Sequence, residues 1–120
     1  MYSAYVLTEE SKLILTDWLF NNNKILKDTM FLHHCTIEFG KPVRNPEFLN
    51  IEDELDIIGY AEDEFASAFI VGPCLSKNKI PHITISCAAG IKPFYSNKML
   101  ESAPIENISL KIKAIISNEQ

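Results

Sequence analysis

Residues 32–38 (LHHCTIE) and residues 80–86 (IPHITIS) share one pattern, in which a histidine is followed two places later by threonine and then isoleucine. Two of the chain's three histidines belong to this pattern. Random placement of the threonines would produce two such matches about 0.5% of the time, a frequency low enough to set this motif apart from a chance match. We call the two copies the first and the second His-Thr box, and they are the first place to look for chemistry.

Each box lies in a short run of apolar and β-branched residues that predicts a strand, over residues 31–39 and residues 80–87. Alternate side chains of a strand share a face, so the histidine and the threonine of each box should project together. By the same count, the opposite, apolar face of the first strand should contain Phe31, His33, Cys35, Ile37 and Phe39. We therefore expect His33 to be a core or edge histidine outside any site.

If the two strands lie near each other, their polar faces would surround one small cavity with His34, Thr36, His82 and Thr84. Such a set suits a phosphodiester, because its cleavage needs a base for the attacking hydroxyl or water and an acid for the leaving oxygen. Histidine titrates close enough to neutrality for both tasks. Threonine hydroxyls can donate to the non-bridging phosphate oxygens. This chemistry requires no metal ion, so we predict no cofactor.

The whole chain predicts an α+β fold with about six strands and two helices. Besides the two box strands, apolar or alternating patterns predict strands at residues 2–7, 55–61, 65–71 and 108–116. The middle two form a hairpin whose tip, residues 62–64, is acidic. We expect antiparallel strands with the helices packed on one sheet face.

Two segments have helical patterns. Thr8 is a suitable N-cap for the first helix, which residues 21–23 should stop. The apolar stripe of this helix is expected to consist of Leu13, Ile14, Trp18 and Leu19. A second, short helix is predicted over residues 95–101.

Composition predicts one domain over residues 1–120, since 47% apolar content is enough for a single core. No apolar run reaches the roughly 18 residues that a membrane span requires, and residues 1–4 lack the layout of a signal peptide. We therefore expect a soluble, cytoplasmic protein with no membrane partner. The three cysteines lack CxxC spacing, which favours reduced, buried thiols over zinc ligands.

The net charge of −5 argues against long double-stranded nucleic acid as a partner, because such binding usually needs a basic surface. The charge is unevenly distributed: residues 65–100 contain four lysines and no acidic residue. The second box lies in this basic part. These lysines either only solvate loops or create a field that favours a small anionic substrate.

Two His-x-Thr-hydrophobic boxes on separate strands resemble the 2H (two-histidine) phosphoesterase superfamily, which includes the LigT-like RNA cyclic phosphodiesterases. The resemblance is closest to its compact branch, the Swiss Army Knife 2H phosphoesterases, and segments 4–8 and 90–96 add to it. It implies two pseudo-symmetric β-lobes flanking a central cleft, and catalysis without a metal. It also implies that His34 and His82 act as acid and base, in an order left open, with Thr36 and Thr84 on the phosphate.

Tyr5 and Ser96 are secondary candidates for the same site. Tyr5 would stack or form a hydrogen bond near the floor of the cleft, and Ser96 would reach the substrate from a helix N-terminus. The alternatives are a core tyrosine and a helix cap.

The sequence therefore predicts a metal-independent phosphodiesterase that acts on a cyclic phosphate or phosphodiester. Its substrate would be a small nucleotide, a cyclic oligonucleotide signal or an RNA end; cleavage of immune signals is the activity that phage members of the superfamily imply. One alternative is a non-catalytic protein that sequesters a nucleotide in the same cleft. Another is an interaction module that uses the acidic segment 47–64. The sequence leaves the oligomeric state open.

Overall fold

The computed structural model describes residues 1–120, which form seven strands and two α-helices. The strands are β1 (Tyr2–Leu7), β2 (Thr29–Met30), β3 (His34–Phe39), β4 (Glu52–Glu62), β5 (Ala66–Val71), β6 (His82–Cys87) and β7 (Ile105–Glu119). The helices are α1 (Glu9–Asn21) and α2 (Tyr95–Met99), with one 3-10 turn at Pro46–Phe48. Neither α-helix has the length and apolar character needed to cross a bilayer.

The strands form one antiparallel sheet in the order β2-β6-β3-β1-β7-β4-β5, and β5 also pairs with β6. This last pairing closes six strands into a barrel, with the two-residue β2 added beside the end of β6. The predicted α+β class and the antiparallel hairpin of β4 and β5 are confirmed. The six strands close into a single ring, in which no boundary between two lobes is evident. The division into two lobes therefore stays a prediction.

The interior of the barrel holds the main apolar core, whose fully buried members include Tyr5, Ile57, Phe69, Ile83 and Ile112. Helix α1 packs onto this core through Leu15, Leu19 and the ring of Trp18, which contacts the ring of Phe69. A second, smaller cluster lies between α2 and β5 and contains Met99 and Leu100. The two helices therefore cover separate apolar clusters, which leaves part of the outer surface of the barrel open.

Helix α1 begins as predicted, because the Thr8 side chain accepts a hydrogen bond from the Ser11 backbone N–H at 3.2 Å. The predicted apolar stripe was partly wrong. Leu13 is 65% exposed, whereas Leu15 is fully buried. The other predicted members of the stripe do contact the core: Ile14, Trp18 and Leu19. The buried face also includes the polar residue Ser11, which forms hydrogen bonds to β7 and which the pattern of apolar residues does not indicate.

The first box strand is shorter than predicted, because the chain is interrupted at Leu32, whose φ is +46°. Regular strand β3 starts only at His34. A second irregularity follows within β3: Ser3 pairs with Glu38 and Ala4 with Thr36, which leaves an extra residue between them on β3. Such a bulge re-aims the side chains that follow it. Both interruptions affect the site described below.

We predict that Ser11→Ala destabilises the protein by about 1–3 kcal/mol, measured by urea unfolding. The Ser11 hydroxyl accepts from the Lys113 backbone N–H at 2.7 Å and donates to the Lys113 carbonyl at 2.8 Å. Its removal leaves the Lys113 N–H without this partner, whereas the Lys113 carbonyl keeps the longer hydrogen bond from the Thr8 backbone N–H at 3.3 Å. The control on the same helix is Leu13→Ala, expected to change stability by less than about 0.5 kcal/mol. Equal losses in the two variants would contradict this assignment of the buried face.

Candidate active site

A pocket of about 440 Å³ lies on the outer face of β3 and β6, and α2 borders it with Asn97. This volume falls within the range of small-molecule sites. None of the lining residues is acidic. They are Tyr2, Phe31, His33, His34, Thr36, Phe39, Asn78, His82, Thr84, Pro93, Phe94 and Asn97.

The pairing of β3 with β6 brings the two boxes together. Cys35 is the antiparallel partner of Ile83, and both side chains point into the barrel core. One residue further along in each direction, the side chains point outward, and the histidine of each box faces the threonine of the other. The two imidazoles therefore occupy diagonal positions, for which backbone separations of roughly 7–8 Å are typical. All four box residues line the pocket.

His82 is only 7% exposed, and its Nδ1 lies 2.8 Å from the carbonyl oxygen of Ile80. A carbonyl can only accept, so Nδ1 carries a hydrogen and Nε2 is the nitrogen available to a ligand. Burial lowers the pKa of His82 below its ordinary value, and the hydrogen bond to Ile80 opposes this effect. At neutral pH, Nε2 of His82 is thus an unprotonated acceptor.

His34 has a different partner, the adjacent His33, with 3.0 Å between the two Nδ1 atoms. One ring must donate and the other accept, so this contact couples the tautomers of the two histidines. Burial lowers the pKa of His34 to about 4. The neighbouring His33 and, less strongly, His82 add to this effect, while Glu119 opposes it. His34 is therefore neutral at pH 7.

The expectation that His33 lies outside the site is wrong, since it lines the pocket. The positive φ of Leu32 turns the chain just before His33, and Leu32 itself points into the core. Strict alternation along residues 31–39 therefore does not apply. Phe31 and Phe39 were also expected on the apolar face, but both line the pocket. Phe31 precedes the turn at Leu32, and Phe39 follows the bulge and is 80% exposed.

The structure places the two secondary candidates outside the pocket lining. Tyr5 is buried in the barrel core, where its hydroxyl accepts from the Leu75 backbone N–H at 3.1 Å. Burial raises the pKa of Tyr5 to about 12. Ser96 is fully buried, and its hydroxyl lies 2.8 Å from that of Thr84. Ser96 can therefore act on a ligand only through Thr84.

Sequence analysis missed three polar lining residues besides His33: Tyr2, Asn78 and Asn97. The Tyr2 ring lies 5.0 Å from the His34 ring, between centroids. The outward alternation of β1 could have indicated Tyr2, but the two asparagines come from loop and helix positions without a periodic signal. All three cysteines are free, and no three His, Cys, Asp or Glu side chains are grouped to hold a metal ion.

Comparison with known proteins identifies one family. Residues 52–118, more than half of the chain, match the family described as the fungal tRNA ligase phosphodiesterase domain. The match contains the second box and the loop that carries Phe94, but it does not contain the first box. Only the pairing of β3 with β6 brings the first box beside the matched residues. No curated protein matches the chain.

We predict that acid destabilises the native protein partly through His34. The pKa of His34 is about 4 in the folded chain, against an ordinary value of about 6.5 in the unfolded chain. Between these values the unfolded state binds the extra proton, so the free energy of unfolding falls as pH falls from 6.5 to 4. The loss is up to roughly 3 kcal/mol. Urea unfolding of His34→Gln should show a smaller decrease over this window than the wild type.

We also predict that His33→Asn raises the pKa of His34, because it removes the neighbouring imidazole that lowers it. Burial is the larger cause and remains, so the value should stay below about 6.5. NMR titration of the imidazole Cε1 protons measures this shift. An unchanged His34 titration would show that the two rings are not coupled.

Proposed function

The chain belongs to the family of fungal tRNA ligase phosphodiesterase domains, in the 2H phosphoesterase superfamily, and on this premise we propose that it hydrolyses a cyclic phosphate or phosphodiester. The substrate would be a small nucleotide, a cyclic oligonucleotide or an RNA end. The observation that supports this most is the convergence of both His-Thr boxes on one pocket without acidic residues. We also propose that residues 1–120 act as one phosphodiesterase domain.

We propose His82 as the general base. Its Nδ1 hydrogen is held by the Ile80 carbonyl, so the neutral ring offers the Nε2 lone pair to the attacking hydroxyl or water. As this nucleophile bonds to phosphorus, its proton passes to Nε2 of His82. The lowered pKa of His82 keeps the ring in the unprotonated form that a base requires.

His34 is then the general acid. In the protonated ring that an acid requires, both nitrogens carry a hydrogen: Nδ1–H of His34 donates to Nδ1 of His33, and Nε2–H is the proton that can reach a leaving oxygen. The bond from phosphorus to this oxygen breaks as the oxygen takes the proton. A phosphate anion in the pocket favours the protonated form of imidazole, so substrate binding itself opposes the low pKa of His34. His82 gains one proton and His34 loses one, so proton exchange with water returns both rings to their starting states.

Thr36 and Thr84 would donate to the non-bridging oxygens, which carry charge in the transition state. The only hydrogen bond of Ser76 to Thr36 is to its backbone carbonyl, at 2.7 Å, and the Thr36 side-chain hydroxyl has no partner within the protein and can donate to the phosphate. If Ser96 donates to Thr84, the hydroxyl hydrogen of Thr84 is held only by the long contact to the Pro93 carbonyl at 3.4 Å, which a phosphate oxygen would replace. Ser96 is thus a positioning residue in this proposal.

A second candidate function is sequestration of a nucleotide without turnover. The specific observation in its favour is that both box histidines have lowered pKa values, so the free protein holds no protonated acid at pH 7. A binder needs only the hydrogen-bonding capacity of the same groups. Mass spectrometry of nucleotides recovered after incubation separates the two functions, because a binder returns each ligand intact.

We predict that His34→Gln and His82→Gln each lower kcat by roughly 100- to 10,000-fold, the usual contribution of one proton-transfer group. Hydrolysis of adenosine 2′,3′-cyclic phosphate, followed by mass spectrometry, measures the loss, and EDTA should leave the wild-type rate unchanged. Thr84→Val should also lower kcat, while the matched control Thr16→Val, on the exposed side of α1, should not. Wild-type-like rates in both histidine variants would rule out the paired mechanism.

A further inference from the structure

We propose that the pocket is built for a phosphodiester that joins two nucleosides, with one nucleobase stacked on Phe39 and the other on Phe94. This inference rests on the proposed phosphodiesterase site and narrows its substrate class. A nucleoside 2′,3′-cyclic phosphate has a single base and would therefore occupy only one of the two stacking positions.

The first observation is the exposure of the two phenylalanines. Phe39 is 80% exposed and Phe94 is 75% exposed, although both line the pocket. Neither ring packs against another aromatic side chain of the protein. Their faces are therefore free for a ligand. A base stacked on a phenylalanine ring is stabilised, because the apolar surfaces of the base and of the ring are both removed from water.

The second observation is that the two phenylalanines adjoin different threonines of the site. Phe39 ends β3, beyond Thr36, on the side where Lys77 donates its backbone N–H to the Ile37 carbonyl. Phe94 directly follows Pro93, whose carbonyl accepts a hydrogen bond from the Thr84 hydroxyl at 3.4 Å. Because each box histidine faces the threonine of the other box, Thr36 and Thr84 mark opposite ends of the group. A phosphate among the four box residues thus has one phenylalanine on each side.

The third observation is the charge around the pocket. Five exposed lysines flank pocket-lining residues within two positions in the sequence: Lys41, Lys77, Lys79, Lys92 and Lys98. None of the five forms an ion pair, whereas every other basic residue except Lys113 does. In a chain with a net charge of −5, this concentration of unpaired lysines favours an anionic ligand at the rim.

The chemical class follows from these three observations together. Free aromatic faces suit flat, uncharged rings, and the unpaired lysines suit phosphate charge. The attachment of the two phenylalanines beside different threonines suits a base on either side of one phosphate. Stacking tolerates any base, so we expect selection for the number of bases and little selection for their identity.

The test measures binding to the double variant His34→Gln, His82→Gln, in which no ligand is consumed. The probes are adenylyl-(3′,5′)-adenosine and adenosine 2′,3′-cyclic phosphate, in isothermal titration calorimetry at fixed salt. We expect the dinucleoside phosphate to bind at least about tenfold more tightly, in line with one additional stacked base. Phe39→Ala and Phe94→Ala, each added to this background, should weaken its binding by roughly 5- to 150-fold. Only one of them should weaken binding of the mononucleotide.

The matched control is Phe20→Ala, since Phe20 is 81% exposed but lies on α1, away from the pocket. Phe39→Tyr and Phe94→Tyr should retain binding, because a tyrosine ring still stacks. The proposal is overturned if both alanine variants bind the dinucleoside phosphate as tightly as the parent, or if the two probes bind equally well.

Wild-type hydrolysis of the same two probes distinguishes this proposal from the proposed function. Binding that depends on both phenylalanines without any hydrolysis would overturn the enzymatic function and support the two base subsites. Hydrolysis with binding that is insensitive to both phenylalanines would overturn the subsites alone.

Discussion

The antiparallel pairing of Cys35 with Ile83 is the contact on which the rest of the structure depends. It joins β3 to β6, and because β6 also pairs with β5, it completes the closed ring of six strands. Both paired side chains are fully buried in the core, so the residues on either side of them must point outward. The same pairing that closes the barrel therefore sets the two His-Thr boxes side by side on its outer surface.

Burial then determines the chemistry of the site. Both box histidines are partly shielded from solvent by the surrounding protein. This desolvation is the largest cause of their lowered pKa values. Each ring has a different Nδ1 partner: a carbonyl for His82 and a second imidazole for His34. The two boxes are nearly symmetric in sequence, but these partners make them chemically unequal. This inequality is the basis on which we propose one histidine as base and the other as acid.

Much of the architecture could be predicted because it follows from local periodicity. Strand β1, the Thr8 cap, the β4–β5 hairpin and the outward face of each box all depend on neighbours within a few positions. The failures share a different origin. Leu13 was assigned to the buried face of α1 because it is apolar, and Ser11 was not because it is polar. Ser11 is buried through its hydrogen bonds to β7, which is distant in the chain. His33 and Phe39 were misplaced because a positive φ and a bulge interrupt the alternation.

The sequence by itself determined that two histidines and two threonines share outward strand faces, because the period of a strand is a property of the local backbone. It could not determine that the two strands are neighbours, that His33 joins the site, or that Tyr5 lies in the core. Only the tertiary structure decided those points, together with the positions of Phe39 and Phe94 in the lining of the pocket. The physical reason is that strand pairing and barrel closure are contacts between residues far apart in the chain, whose pattern is not encoded in any local period.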